Sequence, residues 1–489
     1  MTATIDHDHD PDPSPGLGPD LRKAAPGVRS RRGVRELLVR LHFYAGVFVA
    51  PFLVVAALTG LVYALTPQLD QLVYGDRLSV ERTGGPTVPL SGQIAAARAA
   101  YPEGVLASVA TPAEPDGTTR VVLDVPGPGE RQRTVFVDPY TGEVRGALAT
   151  RSGATPLTAW LGDLHRDLRL GETGRLYSEA AASWLWVLVA GGLVLWLGRA
   201  RGRRAASVRG ALLPERTARG VRRTRGLHAA TGVWLALGLL FLSATGLTWS
   251  QYSGERFGRL VDAVQGDAPK LDTRLPGAAP ASGAEGGEHA GHGGDGATAD
   301  AAEPAEPGPA AFDTALATAR RAGLDGPVVL TPPADASAAW VVAQKDDVWP
   351  VRYDRVAVHP VTGEVTARTR WADHPPLAKL SKLGVQGHMG VLFGVANQVV
   401  LVVVALGLVL VVLWGYRMWW QRRPTRGDRA ARLGRVPARG AWRRVPLPVL
   451  VAGVPAVAAV GWALPVLGCT LLLFLVVDAV AGLVAGRAR

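Results

Sequence analysis

Six long apolar runs constrain this chain more than any other feature of its sequence. A helix needs about 20 largely apolar residues to cross the roughly 30 Å hydrocarbon core of a bilayer. Because backbone polar groups in lipid have no water to bind, such runs are predicted to be helices. The sequence therefore predicts an integral membrane protein embedded in the lipid bilayer. The runs lie at about 41–66, 180–198, 228–250, 391–420, 446–463 and 465–485, and the last two form a predicted helical hairpin.

Basic residues gather beside these runs and predict how the chain is oriented. The net charge is +12; residues 21–40 hold seven Lys or Arg and one Glu, 199–225 hold ten Arg and one Glu, and 422–444 hold nine Arg and one Asp. Because Lys and Arg accumulate in cytoplasmic loops, both termini are predicted in the cytoplasm and loops 67–178 and 251–386 outside the cell membrane. The arginines flank spans rather than cover a folded basic face, so no nucleic-acid partner is predicted.

A tandem repeat runs through the chain, because two constant offsets in numbering relate its halves. The offset from His42 to His228 equals the offset from Thr59-Gly60 to Thr245-Gly246. A second, larger offset relates His165 to His388 and also Gly192 to Gly415. Similar turn sequences, DPYTGEV and HPVTGEV, occur in the two outer domains. The repeating unit is a helix, an outer domain, a histidine segment and a helix. The second offset is larger because the second repeat contains an additional Gly/Ala/Pro/Glu-rich stretch at 276–310. This stretch, which contains His289 and His292, is predicted to be a solvated linker.

The predicted fold class is a membrane α-helical bundle, with a four-helix repeat core, a C-terminal helical hairpin and two extracytoplasmic α+β domains. Each α+β domain combines an Ala/Arg-rich helix with Val-rich strands and shows no catalytic motif. The boundaries, in chain order, are a disordered cytoplasmic tail (1–34), the first span (35–66), the first α+β domain (67–150), a histidine segment and second span (151–198), a basic cytoplasmic loop (199–226), the third span (227–250), a connection (251–275), the linker (276–310), the second α+β domain (311–370), a histidine segment and fourth span (371–421), a second basic loop (422–444) and the hairpin (445–489).

Four of the ten histidines occupy corresponding positions of the repeat. His42 and His228 begin helices that start in the cytoplasm, whereas His165 and His388 precede helices that start outside. Topology therefore predicts two pairs near opposite membrane faces, which we call the inner pair, His42 with His228, and the outer pair, His165 with His388. The two histidine segments of the outer pair are predicted to be interfacial helices.

Several uses of these imidazoles stay open. An imidazole near a membrane surface also snorkels or binds a backbone carbonyl. Zinc would need a third ligand and a base, but the nearby acids Asp163 and Asp167 occur in only one repeat. A coupled transporter would need carboxylates at mid-membrane, where Asp478 has no evident partner, and copper sites favour methionine, of which the chain has three. Haem iron, which is held by axial imidazoles, is the most economical interpretation.

Two glycines support a flat cofactor beside the inner pair. Gly46 and Gly232 each follow an inner histidine by four residues and so lie on the same helix face. A missing side chain there leaves room for a macrocycle, and it would equally allow close helix packing.

The stretches RLHFYAGVFVAPFLVVAALTGLVYAL, LHRDLRLGETGRL, DPYTGEV and GHMGVLFG resemble the PepSY-associated transmembrane family. The resemblance covers about residues 35–420, and the C-terminal hairpin lies outside it. It implies a four-helix core, two extracytoplasmic PepSY modules and two b-type haems. The axial ligands that it implies are His42 with His228 and His165 with His388. The second histidine segment lacks the HRxL motif of the first.

We therefore predict a dihaem transmembrane electron-transfer protein with two bis-histidine haem b groups. No flavin or nicotinamide motif occurs, so the electron donor is predicted to be a quinone or a cytosolic reductase. The predicted acceptor is a ferric siderophore outside the cell, for iron acquisition, which would make the protein a reductase. Two other functions stay open: an anchored PepSY module that binds peptides or a protease, and a metal or siderophore transporter. Candidates for acceptor contact, or for core and interface positions, are Trp160, Tyr177, Trp340 and Trp371.

Overall fold

The computed structural model describes residues 26–81, 84–125, 132–202, 212–275, 308–421 and 445–487. The expectations for residues 1–25 of the tail, for most of the linker with His289 and His292, and for the second basic loop lie outside these ranges. The first helix begins at Pro26, within the segment predicted to be disordered. Proline is well tolerated at the first position of a helix, and the helix therefore begins well before the apolar run does.

The order of elements repeats, as the sequence predicts. The helices are α1 (Pro26–Phe48), α2 (Ala50–Ala64), α3 (Thr66–Leu78), α4 (Leu90–Ala100), α5 (Pro156–Asp167), α6 (Gly171–Gly202), α7 (Gly220–Thr248), α8 (Gln251–Ala263), α9 (Ala310–Arg321), α10 (Pro376–Met389), α11 (Val395–Gln421), α12 (Leu447–Ala463) and α13 (Pro465–Arg487). The strands are β1 (Val105–Ala110), β2 (Thr119–Asp124), β3 (Gln132–Val137), β4 (Val144–Thr150), β5 (Val328–Thr331), β6 (Trp340–Gln344), β7 (Arg355–Val358) and β8 (Val365–Thr369). Four helices, four strands and two helices are thus followed by three helices, four strands and two helices, and the pair α1–α2 corresponds to the single helix α7.

The described part of the chain contains four helices that are long and apolar enough to cross a membrane: α6, α7, α11 and α13. The pair α1–α2 qualifies as a fifth span, but it is bent by 56°. Helix α12 is apolar but shorter. The chain is therefore a multi-pass helical membrane protein, and the six predicted spans correspond to four long helices, one bent pair and one short helix.

The bend in the first span has an identifiable cause in Pro51, which the sequence prediction did not use. Proline has no N–H, so the carbonyl of Val47, four residues earlier, loses its helical donor. The hydroxyl of Tyr416 on α11 donates to that carbonyl at 2.9 Å. The helix is interrupted at Val49 and continues as α2. A side chain from another helix thus satisfies the group that proline leaves unpaired.

Helices α2, α6, α7 and α11 pack side by side, each against two of the others. The apolar side chains buried between them are Ala50, Leu53, Ala57, Ala181, Leu185, Leu235, Leu239, Val404, Leu408 and Val412. Connections to the strands leave from the ends of α2 and α7 and return at the starts of α6 and α11. The sheet therefore lies beyond one end of this helix core, and the arginine-rich stretches follow α6 and α11 at the other end.

The eight strands form one antiparallel sheet, in the order β4-β3-β2-β1-β5-β6-β7-β8. The two halves meet where β1 pairs with β5, with Val109 opposite Leu330. Each half contains the same register irregularity, between Phe136 and Val137 and between Ala357 and Val358. The strands were predicted as two separate modules; the structure joins them because each module offers an unpaired edge strand to the other.

Helices α4 and α9 pack on each other and on one face of the sheet. A single apolar core lies beneath them and includes residues of both halves, such as Ile94, Val121, Phe312, Trp340 and Val356. The two α+β halves therefore share one hydrophobic core in addition to one sheet.

The C-terminal hairpin packs against α6 through α13, and the indole of Trp184 donates to Thr470 at 2.9 Å. Asp478, for which the sequence suggested no partner, forms an ion pair with Arg40 of α1. The expectation of an unpartnered acid was wrong, because a span 438 residues away supplies the cation.

Candidate functional site

The inner pair lies between α1 and α7. The ring centroids of His42 and His228 are 6.2 Å apart, with the ring planes at 85°. The Nδ1 atom of His228 lies 2.9 Å from the carbonyl oxygen of Val411 on α11, and a carbonyl only accepts, so Nδ1 carries the hydrogen. Nε2 of His228 is therefore the nitrogen with a free lone pair.

The environment of His42 corresponds to that of His228 through the repeat. Its backbone neighbour is the carbonyl of Leu188, which is the counterpart of Val411 in the first repeat. The Nδ1 atom of His42 is nevertheless buried without a hydrogen-bond partner among the described residues. The Val411 carbonyl thus accepts from His228, whereas the Leu188 carbonyl lies near the His42 ring outside hydrogen-bond geometry.

The outer pair lies at the end of the helix core that faces the sheet. The ring centroids of His165 and His388 are 6.4 Å apart, and their planes are inclined at 46°. The hydroxyl of Thr59 lies 2.9 Å from Nδ1 of His165, and the hydroxyl of Thr245 lies 2.6 Å from Nδ1 of His388. The same contact is therefore made twice, once in each repeat.

Short helices carry the outer histidines, as the sequence predicts. Helix α5 starts at Pro156 and is capped by Thr155, whose hydroxyl accepts from the Thr158 amide. Helix α10 ends at Gly390, with φ of +83°, so His388 lies in its last turn. Helix α5 packs on α2 and α6, and α10 packs on α7.

Protein atoms surround both outer imidazoles and remove their hydration. This burial lowers the pKa of His165 to about 4, and burial together with the neighbouring His165 lowers the pKa of His388 to about 4. Both rings are therefore neutral at physiological pH, which is the state in which imidazole binds a metal.

Four glycines lie against the four imidazoles. A Cβ atom would approach Cε1 of the facing imidazole to 3.3 Å at Gly192 beside His42 and to 2.9 Å at Gly60 beside His165. In the second repeat the corresponding distances to Cε1 are longer, 3.8 Å at Gly415 and 3.7 Å at Gly246. The histidines of the first repeat are therefore the more tightly enclosed.

The glycines singled out by sequence reasoning occupy a different environment. A Cβ atom at Gly46 or Gly232 would meet nothing within 4 Å. These two positions face open space rather than a packed neighbouring helix, and their role beside a cofactor stays a prediction. The repeat offsets did include Gly60, Gly192, Gly246, Gly415 and both threonines, but sequence reasoning gave them no function. Their recurrence at the same two offsets as the histidines was the signal that could have identified them.

The two acidic residues near His165 form structural ion pairs and hydrogen bonds. Asp163 forms ion pairs with Arg151, Arg166 and Arg169. Burial works to raise the pKa of Asp163, but the hydrogen bond and charge of Arg151 and the charges of the other two arginines hold it below its ordinary value. Asp167 accepts from the Arg169 amide at 2.8 Å. Both carboxylates are occupied by arginines and by the helix end.

The aromatic candidates for acceptor contact fall in different environments. Trp340 is only 1% exposed and packs edge-on against Phe312 in the core of the sheet domain, so it contacts no acceptor. Tyr177 on α6 donates to the carbonyl of Phe52 on α2 at an exposed part of the helix surface. Trp371 packs against Tyr353. Trp160, which is 46% exposed, remains at the surface.

Each histidine pair can offer two neutral imidazole nitrogens to one metal centre. The described residues contain no group of three or more His, Cys, Asp or Glu that could hold a metal ion. A zinc site built from protein ligands alone, which usually needs four ligands or three with water, is therefore not formed by this part of the chain.

Comparison with known proteins identifies one family. A model described as the PepSY-associated TM region matches residues 39–422, which include all four paired histidines. No curated protein matches the chain.

Proposed function

The chain belongs to the family of the PepSY-associated TM region, and from this membership and its two histidine pairs we propose that it is a dihaem transmembrane electron-transfer protein. His42 and His228 would hold one haem b, and His165 and His388 the other. A bound haem supplies a one-electron ferric/ferrous couple, and the protein supplies the ligands, the spacing and the surroundings.

The separation of the paired rings is the observation that carries this proposal. A metal–imidazole bond is about 2.0 Å long, so one iron between the two rings of a pair would be within reach of a nitrogen from each ring. The observed separations are 6.2 Å and 6.4 Å. Two ligands suffice for haem iron because the porphyrin provides the other four.

His42 of the inner pair also adjoins apolar space. A cavity of about 210 Å³ opens between α1 and α6 beside His42, and Leu41, Ala45, Gly191 and Val194 are among the residues that line it. An apolar wall without competing polar groups suits a macrocycle and excludes water from the iron.

The two pairs are separated along the helices by nearly the thickness of a bilayer. His228 and Thr245, the contact of His388, are both on α7, and the 17 residues between their positions correspond to about 26 Å of helix. The hydrocarbon core is about 30 Å thick. One pair near each face would allow charge to cross the membrane in two stages.

The distribution of arginine residues supports one orientation of the protein in the cell membrane. Under the positive-inside rule, the arginine-rich end is cytoplasmic and the sheet is extracytoplasmic. The two halves of the sheet would then be the PepSY modules. We propose a quinone or a cytosolic reductase as donor at the inner pair, and a ferric siderophore as acceptor near the outer pair.

Purified protein tests the proposal directly. We expect a red protein with low-spin haem b spectra and two haems per chain. The variants His42→Ala and His228→Ala should each lose one and the same haem, and His165→Ala and His388→Ala the other. His374→Ala is the matched control, because this histidine bonds the Arg370 carbonyl away from both pairs and should leave both haems in place.

The alternatives predict a different result. A colourless protein that binds no haem under haem-sufficient expression would overturn the proposal and favour an anchored peptide-binding module or a transporter. Acceptor identity is tested separately in vesicles: reduced protein should be reoxidised by ferric siderophore added on the sheet side, and unchanged haem spectra would reject that acceptor.

A further inference from the structure

The two threonines that contact the outer histidines have a second hydrogen-bond partner in their own helices. The Oγ1 atom of Thr59 lies 2.9 Å from the carbonyl oxygen of Val55. The Oγ1 atom of Thr245 lies 2.7 Å from the carbonyl oxygen of Phe241. Each hydroxyl is therefore placed between a backbone carbonyl and an imidazole nitrogen.

The number of hydrogens decides the role of each partner. A carbonyl oxygen only accepts, and a hydroxyl has one hydrogen, so that hydrogen points at the carbonyl of the preceding turn. The hydroxyl oxygen is left to accept from the imidazole. The hydrogen between Thr59 and His165 must then belong to Nδ1 of the histidine, and the same holds for Thr245 and His388.

We propose that Thr59 and Thr245 are positioning residues that hold His165 and His388 in the Nδ1–H tautomer, so that Nε2 presents its lone pair to the outer haem iron. The inference rests on the proposed function. A histidine that binds a metal through one ring nitrogen generally donates from the other, which fixes the ring orientation and makes the ligand more basic. Threonine does this here with a neutral acceptor.

Both residues of the Thr-Gly dipeptide at 59–60 contact the His165 ring. The threonine accepts from Nδ1, and the glycine that follows leaves space for the same ring. A Cβ atom at Gly60 would lie 2.9 Å from Cε1 of His165, so no larger residue fits without moving the ring. In the second repeat a Cβ atom at Gly246 would lie 3.7 Å from Cε1 of His388, which is an ordinary contact, so the threonine contact recurs in both repeats but the steric need for glycine applies only to the first.

The inner pair uses no side-chain acceptor. His228 donates to the Val411 carbonyl, and Nδ1 of His42 has no hydrogen-bond partner among the described residues. A change at the threonines therefore acts on the outer haem alone. The inner haem serves as an internal reference for folding and haem loading in every variant.

Removing the acceptor has a definite electronic consequence. An imidazole whose Nδ1–H is no longer hydrogen-bonded donates less electron density to iron, which favours the ferrous state. The midpoint potential of the outer haem should therefore rise in Thr59→Val and Thr245→Val, and rise further in the double variant. Valine retains the shape of threonine, so the packing of the helices is preserved.

The test is a redox titration of the full-length protein, followed through the haem absorption bands and the ferric low-spin signals of electron paramagnetic resonance. We expect a positive shift or a loss of the outer haem in the valine variants, an unchanged inner haem, and recovery in Thr59→Ser and Thr245→Ser. Thr248→Val is the matched control, because its hydroxyl donates to the Thr245 carbonyl at 2.8 Å on the same helix.

The outcomes separate this inference from the function on which it rests. A double valine variant with the potential and ferric signals of the wild type would overturn the inference and leave the dihaem proposal standing. Equal shifts of both haems, or no recovery with serine, would also overturn it. A wild-type protein without haem overturns both. If Thr59→Val fails to fold, Thr245→Val tests the same contact independently in the second repeat.

Discussion

Arg40 of α1 and Asp478 of α13 form an ion pair across 438 residues of sequence. The side chain of Arg40 is only 6% exposed, and that of Asp478 is 29% exposed. The pair attaches the C-terminal hairpin, which lies beyond the family match, to the helix that carries His42. The hairpin also packs on α1 through Leu467, which shares an apolar cluster with Ala45, three residues after His42.

The ion pair predicts a characteristic result from single and double substitutions. Asp478→Leu leaves a buried guanidinium without its carboxylate and should lower the free energy of unfolding by about 3 kcal/mol, whereas replacing both partners by apolar residues is far less costly. The double variant Arg40→Met/Asp478→Leu should therefore recover most of the loss. Chemical unfolding in detergent measures both; a double variant as unstable as the single one would contradict the assignment.

Gly60→Ala should damage the outer site more than Gly246→Ala does. The added methyl group would lie 2.9 Å from the His165 ring but 3.7 Å from the His388 ring, and only the first distance forces a displacement. The measurement is the haem-to-protein ratio with the spectrum of the outer haem. Gly453→Ala, where a Cβ meets nothing within 4 Å, is the control, and equal effects at 60 and 246 would refute the asymmetry.

Tyr416→Phe should destabilise the protein because it leaves the Val47 carbonyl without a donor. An unsatisfied buried carbonyl costs about 1–3 kcal/mol. In a Pro51→Ala background the residue at 51 regains an N–H for that carbonyl, so the same tyrosine substitution should have little effect. Thermal unfolding of the four proteins in this cycle measures the coupling, and strictly additive effects would show that the tyrosine does not compensate for the proline.

Phe312→Ala should destabilise both halves of the sheet. Phe312 is fully buried in the second half, and truncation of such a side chain costs about 3–5 kcal/mol. Because both halves share one core and the β1–β5 pair, hydrogen exchange should accelerate in β2 and β3 as well as in β6 and β7. Val361→Ala, at a position that is 87% exposed, is the control. Acceleration limited to β6 and β7 would indicate two independent domains.

The sequence predicted most of the local structure and the family. Apolar run length identified the spans, and Val-rich stretches identified strands that the structure confirms. The offsets of the repeat grouped His42 with His228 and His165 with His388, and the structure brings these rings together. Their service as haem ligands stays a prediction. The match to the PepSY-associated TM region confirms the resemblance read from the motifs.

Other features could not be predicted because they depend on pairs of residues that are distant in the chain. Asp478 looked isolated because its partner lies on the first helix. Pro51 is visible in the sequence, but the donor that stabilises the bend, Tyr416, belongs to another span. The two α+β halves looked separate because the pairing of β1 with β5 requires both edges to meet.

The sequence by itself determined which segments are apolar enough to span a membrane, which histidines correspond, and the order of helices and strands, because run length, periodicity and repetition are properties of neighbouring residues. Only the tertiary structure decided that Thr59 and Gly60 contact His165, that one sheet joins both halves, and that Arg40 forms an ion pair with Asp478. A hydrogen bond or a ring contact requires atoms within a few ångströms of each other, and only tertiary packing brings residues that are distant in sequence to such distances.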